Sequence, residues 1–182
     1  MNKLFLIALI LLAAVSCKQP EARRPVSVKS GSFIDASVER NKKLFAKEQS
    51  QIEKIMKQHK DKDYIASSSG FWYYYNTKVE FDSIEKPDFG DIVNYNYNVK
   101  SLSGSVIYSK EELKTQTYTM DKEELFTGLR EGLKLMKTGE TVTFLFPSQK
   151  AYGYYGDEHK IGGNMPLMCE VTINSITQNQ AD

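Results

Sequence analysis

Two short stretches narrow the possible folds more than anything else in this chain. They are Leu125-Phe126-Thr127-Gly128-Leu129-Arg130-Glu131-Gly132-Leu133 and, further on, Ala151-Tyr152-Gly153-Tyr154-Tyr155-Gly156. The first reads as a short helix with one apolar face, the second as a glycine-punctuated aromatic loop. Set against each other, they would line a shallow, water-poor cleft that holds one side chain and its peptide bond.

The flanking sequence supplies strands. The aromatic run Phe71-Trp72-Tyr73-Tyr74-Tyr75 favours sheet and predicts a strand to about Phe81. Ile92 to Val99 puts Val93, Tyr95, Tyr97 and Val99 on one face and asparagines on the other. Gly104 marks a turn, Thr115 to Met120 a further short strand, and Asp121 an N-cap for a helix from Lys122 to Leu135. Thr141 to Phe146 directs Val142, Phe144 and Phe146 one way, a long glycine-rich loop covers 147–166, and Met168 to Thr177 closes the chain as a strand. The predicted fold is α+β: an antiparallel half-barrel sheet wrapped around one short helix.

The N-terminus reads as an address. Lys3 precedes an unbroken apolar run of twelve residues, Leu4 to Val15. Twelve helical residues rise about 18 Å, short of a hydrocarbon core of about 30 Å, so the run predicts a signal peptide over residues 1–17. It ends in Ala14-Val15-Ser16-Cys17, which resembles the bacterial lipobox and implies a lipid on Cys17. That would anchor the chain to a membrane of the cell envelope, facing the periplasm. Cys169, the other cysteine, sits in a predicted strand and reads as a small buried hydrophobe, with no disulfide expected.

Residues 18–34 read as a flexible tether and 35–66 as a helical extension, with Asp35 as N-cap. The extension carries a narrow apolar stripe, Val38, Phe45, Ile52, Ile55 and Met56. Such a stripe either docks on the following domain, the favoured reading, or pairs with a second copy through residues 35–60. Loss of residues 1–17 removes Lys3 and leaves 23 basic side chains against 23 acidic ones. That balance gives no electrostatic claim on nucleic acid. The two histidines, His59 and His159, stand without partners at metal-ligand spacing, so no metal site is expected.

Several strings resemble the FKBP-type peptidyl-prolyl cis–trans isomerases. They are Gly90-Asp91-Ile92-Val93 leading to Tyr97 and Gly104, the string Gly128-Leu129-Arg130-Glu131-Gly132-Leu133-Lys134-Leu135-Met136-Lys137-Thr138-Gly139-Glu140, and Pro147 to Gly156 with Ala151-Tyr152-Gly153. The resemblance runs over residues 90–176 and assigns residues 67–182 to an isomerase domain. Signal, tether and helix ahead of it are similar to the gliding-motility-associated FKBP-type lipoproteins of Bacteroidetes-type bacteria. The resemblance implies a cofactor-free rotamase acting on proline-containing exported polypeptides and assisting their folding. It implies Tyr97, Phe126 and Tyr152 as catalytic residues, with Ile107, Leu125, Leu129 and Ile161 binding substrate.

The chain also departs from the family pattern. Ile107-Tyr108 stands where Phe-Asp is usual, so the pocket's aspartate is missing. Leu129 replaces a tryptophan floor, Cys169 and Gln116 replace aromatic walls, and Gly162-Gly163 replaces Pro-Pro. Each lost ring removes apolar surface worth about 1.5–3 kcal/mol when fully buried. The resemblance therefore implies weak or altered isomerase activity and poor affinity for macrolide inhibitors. The alternative is a catalytically weak FKBP-like chaperone or a structural binding module of an envelope complex.

Overall fold

The computed structural model describes residues 30–80 and 85–179, with side chains from Phe33 onward. One compact unit ends at Val38 and a second begins at Glu39. Helix α1 spans Ser30–Gln58, and the strands are β1 Ile65–Ala66, β2 Trp72–Thr77, β3 Ile92–Ser101, β4 Val106–Tyr108, β5 Gln116–Thr119, β6 Thr141–Phe146 and β7 Leu167–Thr177. Two short helices, α2 (Lys110–Leu113) and α3 (Thr127–Leu133), and a 3-10 turn over Ser148–Lys150 complete the order.

All strand pairs are antiparallel, in the order β1-β2-β6-β7-β3-β4. Strand β3 pairs with β7 along one edge and shares its other edge between β4 and β5. Between Asn94 and Tyr95 of β3 the register skips Asn174, so β7 carries a bulge there. The alternation read from the sequence holds: Val93, Tyr95, Tyr97 and Val99 of β3 are buried, as are Leu167, Cys169, Val171 and Ile173 of β7. With Val142, Phe144 and Phe146 of β6 they form one cluster, which Leu129 and Leu133 of α3 cap. The opposite face of β3 is polar, and the Asn174 amide donates to both Asn94 and Asn96. The expected half-barrel of mixed helix and antiparallel sheet is the observed architecture.

Several boundaries differ from the sequence reading. Helix α1 begins at Ser30, so Asp35 lies inside it and the helix overlaps the predicted tether. Strand β2 stops at Thr77, because the Val79 N–H turns out of the ladder to the Glu140 carboxylate. The strand predicted from Thr115 begins at Gln116, one residue late. The helix predicted from Lys122 starts only at Thr127: Asp121 adopts φ +60°, and the Lys122 N–H bonds back to the Thr119 carbonyl. The Tyr118 hydroxyl then ties down the Glu123 carbonyl, which holds this stretch in a turn against β5. Asp121 is therefore a left-handed turn residue and not a cap.

Along α1 the apolar stripe divides. Ile52 is fully buried and Ile55 and Met56 are half-buried, whereas Val38 and Phe45 are exposed. Leu145 and Thr143 of β6 are buried as well, so both faces of this strand are covered. The strand's alternation alone could not predict that.

Candidate active site

Glycines set how closely α3 sits on the sheet. A Cβ at Gly128 would lie 2.6 Å from the Lys150 carbonyl oxygen and 2.6 Å from the Phe146 ring. One at Gly132 would lie 2.9 Å from the Phe144 ring. Only glycine lets α3 rest directly on those two rings, which stack with centroids 5.4 Å apart. This close seat sets the depth at which Leu125 and Phe126, just ahead of α3, meet the loop after β6.

Phe126 is the N-cap of α3, extended at φ −61° and ψ 140°, so its N–H precedes the helical ladder. Its ring packs edge-on against Phe146 at 5.5 Å and tilted against Tyr152 at 5.0 Å. Phe126 and Tyr152 face a cleft of about 500 Å³ whose other lining residues are Glu123, Glu124, Leu125 and Arg130. Glu123, Glu124 and Arg130 were not singled out from the sequence. Reading residues 122–135 as one helix hid the first two, because the turn they occupy is what brings them to the rim.

All seven predicted substrate-contacting residues belong to one assembly. Tyr97, Leu129 and Ile161 are members of the buried cluster, and Ile107, Leu125, Phe126 and Tyr152 pack against it. Leu125, Phe126 and Tyr152 thus line the cleft, whereas Tyr97, Leu129 and Ile161 are buried in the core. Burial, helped by neighbouring Cys169, Asp157 and Tyr108, pushes the Tyr152 phenol up to about 12. At neutral pH the hydroxyl stays protonated and able to donate. Burial and the Tyr152 and Tyr95 phenols also raise Tyr97, and burial raises the thiol of the fully buried Cys169. Cys17 lies outside the described residues.

The departures from the family pattern have structural outcomes. The Gln116 side chain donates to the Leu113 carbonyl at 2.5 Å, at the end of α2. Tyr108, where aspartate is usual, donates its hydroxyl to the Asp157 carboxylate at 2.5 Å. Asp157 also accepts from the N–H groups of His159 (2.9 Å) and Ile161 (2.7 Å), so it knots the loop that delivers Ile161. Burial pushes the Asp157 carboxyl up, but these bonds from Tyr108, Ile161 and His159 outweigh it and hold the group below its ordinary value. The knot requires Gly156, at φ +74°, since a Cβ there would lie 2.0 Å from the Ile161 carbonyl oxygen. Gly163 has the same constraint, 2.1 Å from the Tyr154 carbonyl oxygen. Tyr108 and Asp157 were missed as a pair because nothing local links them.

The chain resembles known proteins over this same region. It is 28% identical over 124 residues to the "Probable FKBP-type peptidyl-prolyl cis-trans isomerase FkpA" of Neisseria meningitidis, covering 68% of this chain and 44% of that protein. It is 27% identical over 143 residues to the "Probable FKBP-type peptidyl-prolyl cis-trans isomerase" of Haemophilus influenzae, covering 72% of this chain and 58% of that one. The matched segment thus spans about half the length of these curated relatives. In fold, the chain is similar to the crystal structure of FkpA from Escherichia coli, with a TM-score of 0.59, 23% identity, and 97% of this chain and 83% of that one covered. It is also similar to that of a peptidyl-prolyl cis-trans isomerase from Pseudomonas syringae, with a TM-score of 0.59, 22% identity, and 75% and 96% covered. The sequence pattern of the FKBP-type peptidyl-prolyl cis-trans isomerases matches residues 84–174, which include α3, β6 and the Tyr152 loop. By that match, which covers half of its length, the chain belongs to the FKBP-type peptidyl-prolyl cis-trans isomerase family.

Proposed function

We propose that this chain accelerates cis–trans isomerisation of X-Pro bonds in exported, proline-containing polypeptides, at the cleft between the tip of α3 and the Tyr152 loop. The observation that carries this reading is the meeting of Leu125, Phe126 and Tyr152 in one cleft against the buried core. A peptide bond resists rotation by about 18–20 kcal/mol because of its partial double-bond character. The planar form carries charge separation between nitrogen and oxygen, and the twisted form has lost it. An apolar wall solvates the planar form poorly and so lowers the relative cost of twisting. The protonated Tyr152 hydroxyl donates to a substrate carbonyl and holds the chain on one side of the rotating bond. Tyr97 supports the Tyr152 side from beneath, and the Phe126 N–H offers a second donor. Leu129 and Ile161 within the buried core and Ile107 against it exclude water, and no bond is made or broken.

Exchange between cis and trans forms of an X-Pro peptide, followed by NMR, tests this. The unaltered protein is expected to accelerate exchange, and Phe126→Ala to lower kcat/KM by about tenfold or more, equivalent to about 1.4 kcal/mol of transition-state stabilisation. Exchange no faster than in buffer would end the enzymatic reading. A second reading, a catalytically weak chaperone or binding module, is favoured by Tyr108 and Gln116, whose polar groups are spent on internal bonds. Low turnover and weak macrolide binding would fit it.

The proposed setting is the cell envelope. Residues 1–17 support export and lipidation at Cys17, with the domain facing the periplasm. Among the described residues no helix is long and apolar enough to cross a membrane. Labelled palmitate entering the protein but not a Cys17→Ala variant would support the anchor. The exposed Val38 and Phe45 of α1 favour a homodimer through residues 35–60. Light scattering of the full chain against Val38→Glu decides that point. Service to gliding motility rests on the resemblance alone, and loss of surface spreading in a deletion strain would support it.

A further inference from the structure

We infer that Glu48 of α1 is a positioning residue for the Tyr152 loop, so that the helix ahead of the matched domain sets the geometry of the cleft. Three carboxylates are buried among the described residues: Glu48, Asp91 and Glu140. Asp91 and Glu140 lie within the matched segment and accept from backbone N–H groups, Asp91 from Asp88 and Asn179, Glu140 from Val79 and Lys137. Glu48 lies outside that segment, is only 3% exposed, and reaches across the fold. One of its oxygens accepts from the Ser148 N–H at 2.9 Å and the other from the Ser148 hydroxyl at 2.7 Å.

Ser148 opens the 3-10 turn that delivers Tyr152. Its carbonyl accepts from the N–H groups of Ala151 (3.0 Å) and Gly153 (2.9 Å), the two residues that flank Tyr152. The Gly153 carbonyl in turn accepts from the Asn164 N–H at 2.7 Å, tying in the returning limb of the loop. A continuous series of hydrogen bonds therefore runs from the Glu48 carboxylate through Ser148 to both neighbours of Tyr152. Hydrogen bonds to an ionised acceptor are roughly twice as strong as neutral ones, and their geometry is more exacting.

The surroundings put the weight of this contact on Glu48. Two concavities flank it, of about 200 Å³ and 320 Å³. Leu44, Glu48 and Asn164 line both, so they form the ridge between them. At this ridge the helix meets the loop through the paired bonds between Glu48 and Ser148. A strain or partner acting on α1 would be transmitted by this route to Tyr152.

The activity readout rests on the isomerase reading, and amide exchange does not. In the full chain, Glu48→Ala, Glu48→Gln, Ser148→Ala and Glu48→Ala/Ser148→Ala are compared by kcat and KM on an X-Pro peptide and by hydrogen exchange at Ala151 and Gly153. Glu48→Ala is expected to speed exchange at these two amides at least tenfold while leaving Val142 and Phe144 of β6 unchanged. It is expected to lower kcat/KM about tenfold, mainly through kcat. Glu48→Gln, which keeps one acceptor, falls in between and supplies the test should the alanine variant not fold. The double variant is expected to match Glu48→Ala alone. Exchange at Ala151 and Gly153 that stays at the unaltered rate in both Glu48 variants overturns the inference, whatever the activity. Faster exchange with unchanged kcat and KM overturns the positioning role. If the unaltered protein does not isomerise the peptide, the isomerase reading fails, and exchange alone then decides whether Glu48 holds the loop.

Discussion

The loop that presents Tyr152 is held at two places, by bonds of different character. At its start the Glu48 carboxylate grips Ser148, and both residues are buried. At its return the Tyr108 hydroxyl grips Asp157, and both are only half-buried beside the exposed Lys160. Similar donors and acceptors are thus used in a dry place and in a wet one. The buried grip is the harder of the two for water to replace, so its loss leaves donors stranded; the half-buried grip opens onto solvent, and its loss is partly made good. The contrast separates a structural fixture from an adjustable one on a single loop.

The sharpest way to break the comparison is at the buried end. Glu48→Ala strands the Ser148 N–H and hydroxyl, and is expected to cost roughly 3 kcal/mol in urea denaturation, at about 1–3 kcal/mol per unsatisfied buried group. A loss below about 1 kcal/mol would mean that water enters there. Next in size, Gly128→Ala drives a Cβ onto the Lys150 carbonyl and the Phe146 ring, on the same side of the loop. It is expected to cost about 2 kcal/mol as overpacking, seen as a melting-temperature drop of roughly 4–8 °C.

At the open end the expected effects are smaller and depend on pH. Tyr108→Phe is expected to cost about 1 kcal/mol and to loosen the 157–161 turn. The Asp157 carboxyl titrates below its ordinary value in the folded chain, so its contribution is complete above the unfolded carboxylate range. It is lost as pH falls through the folded value, and Tyr108→Phe should flatten that acid limb of the stability curve. An unchanged limb would assign the acid sensitivity to another group. Smallest of all, Lys160→Ala removes a cation 4.8 Å from the Tyr108 ring and an exposed pair with Glu112. It is expected to change stability by less than about 0.5 kcal/mol, and by nothing measurable at high salt.

Much of this architecture was legible from one-dimensional patterns. Val93, Tyr95, Tyr97 and Val99 announced a core-facing strand because side chains alternate across a sheet, and all four are buried. The string from Gly128 to Glu140 carried the resemblance to the family, and the Phe144 and Phe146 rings fill the space that Gly128 and Gly132 leave. Reading Asp121 as a cap failed because local sequence cannot weigh a cap against a turn tied to β5 by the Tyr118 hydroxyl. The rim residues Glu123 and Glu124 went unnoticed for the same reason. Nothing in the sequence near Glu48 signals that the donor it accepts from lies a hundred residues away.

By itself, then, the sequence determined the strand faces and the family. The first follows from periodicity, the second from motifs that lie within one continuous segment, residues 84–174. Only the tertiary structure decided which polar groups hold the Tyr152 loop, and that α1 is one of its supports. Burial turns an ordinary carboxylate into a fixture, and burial depends on segments far apart in the chain being folded onto one another.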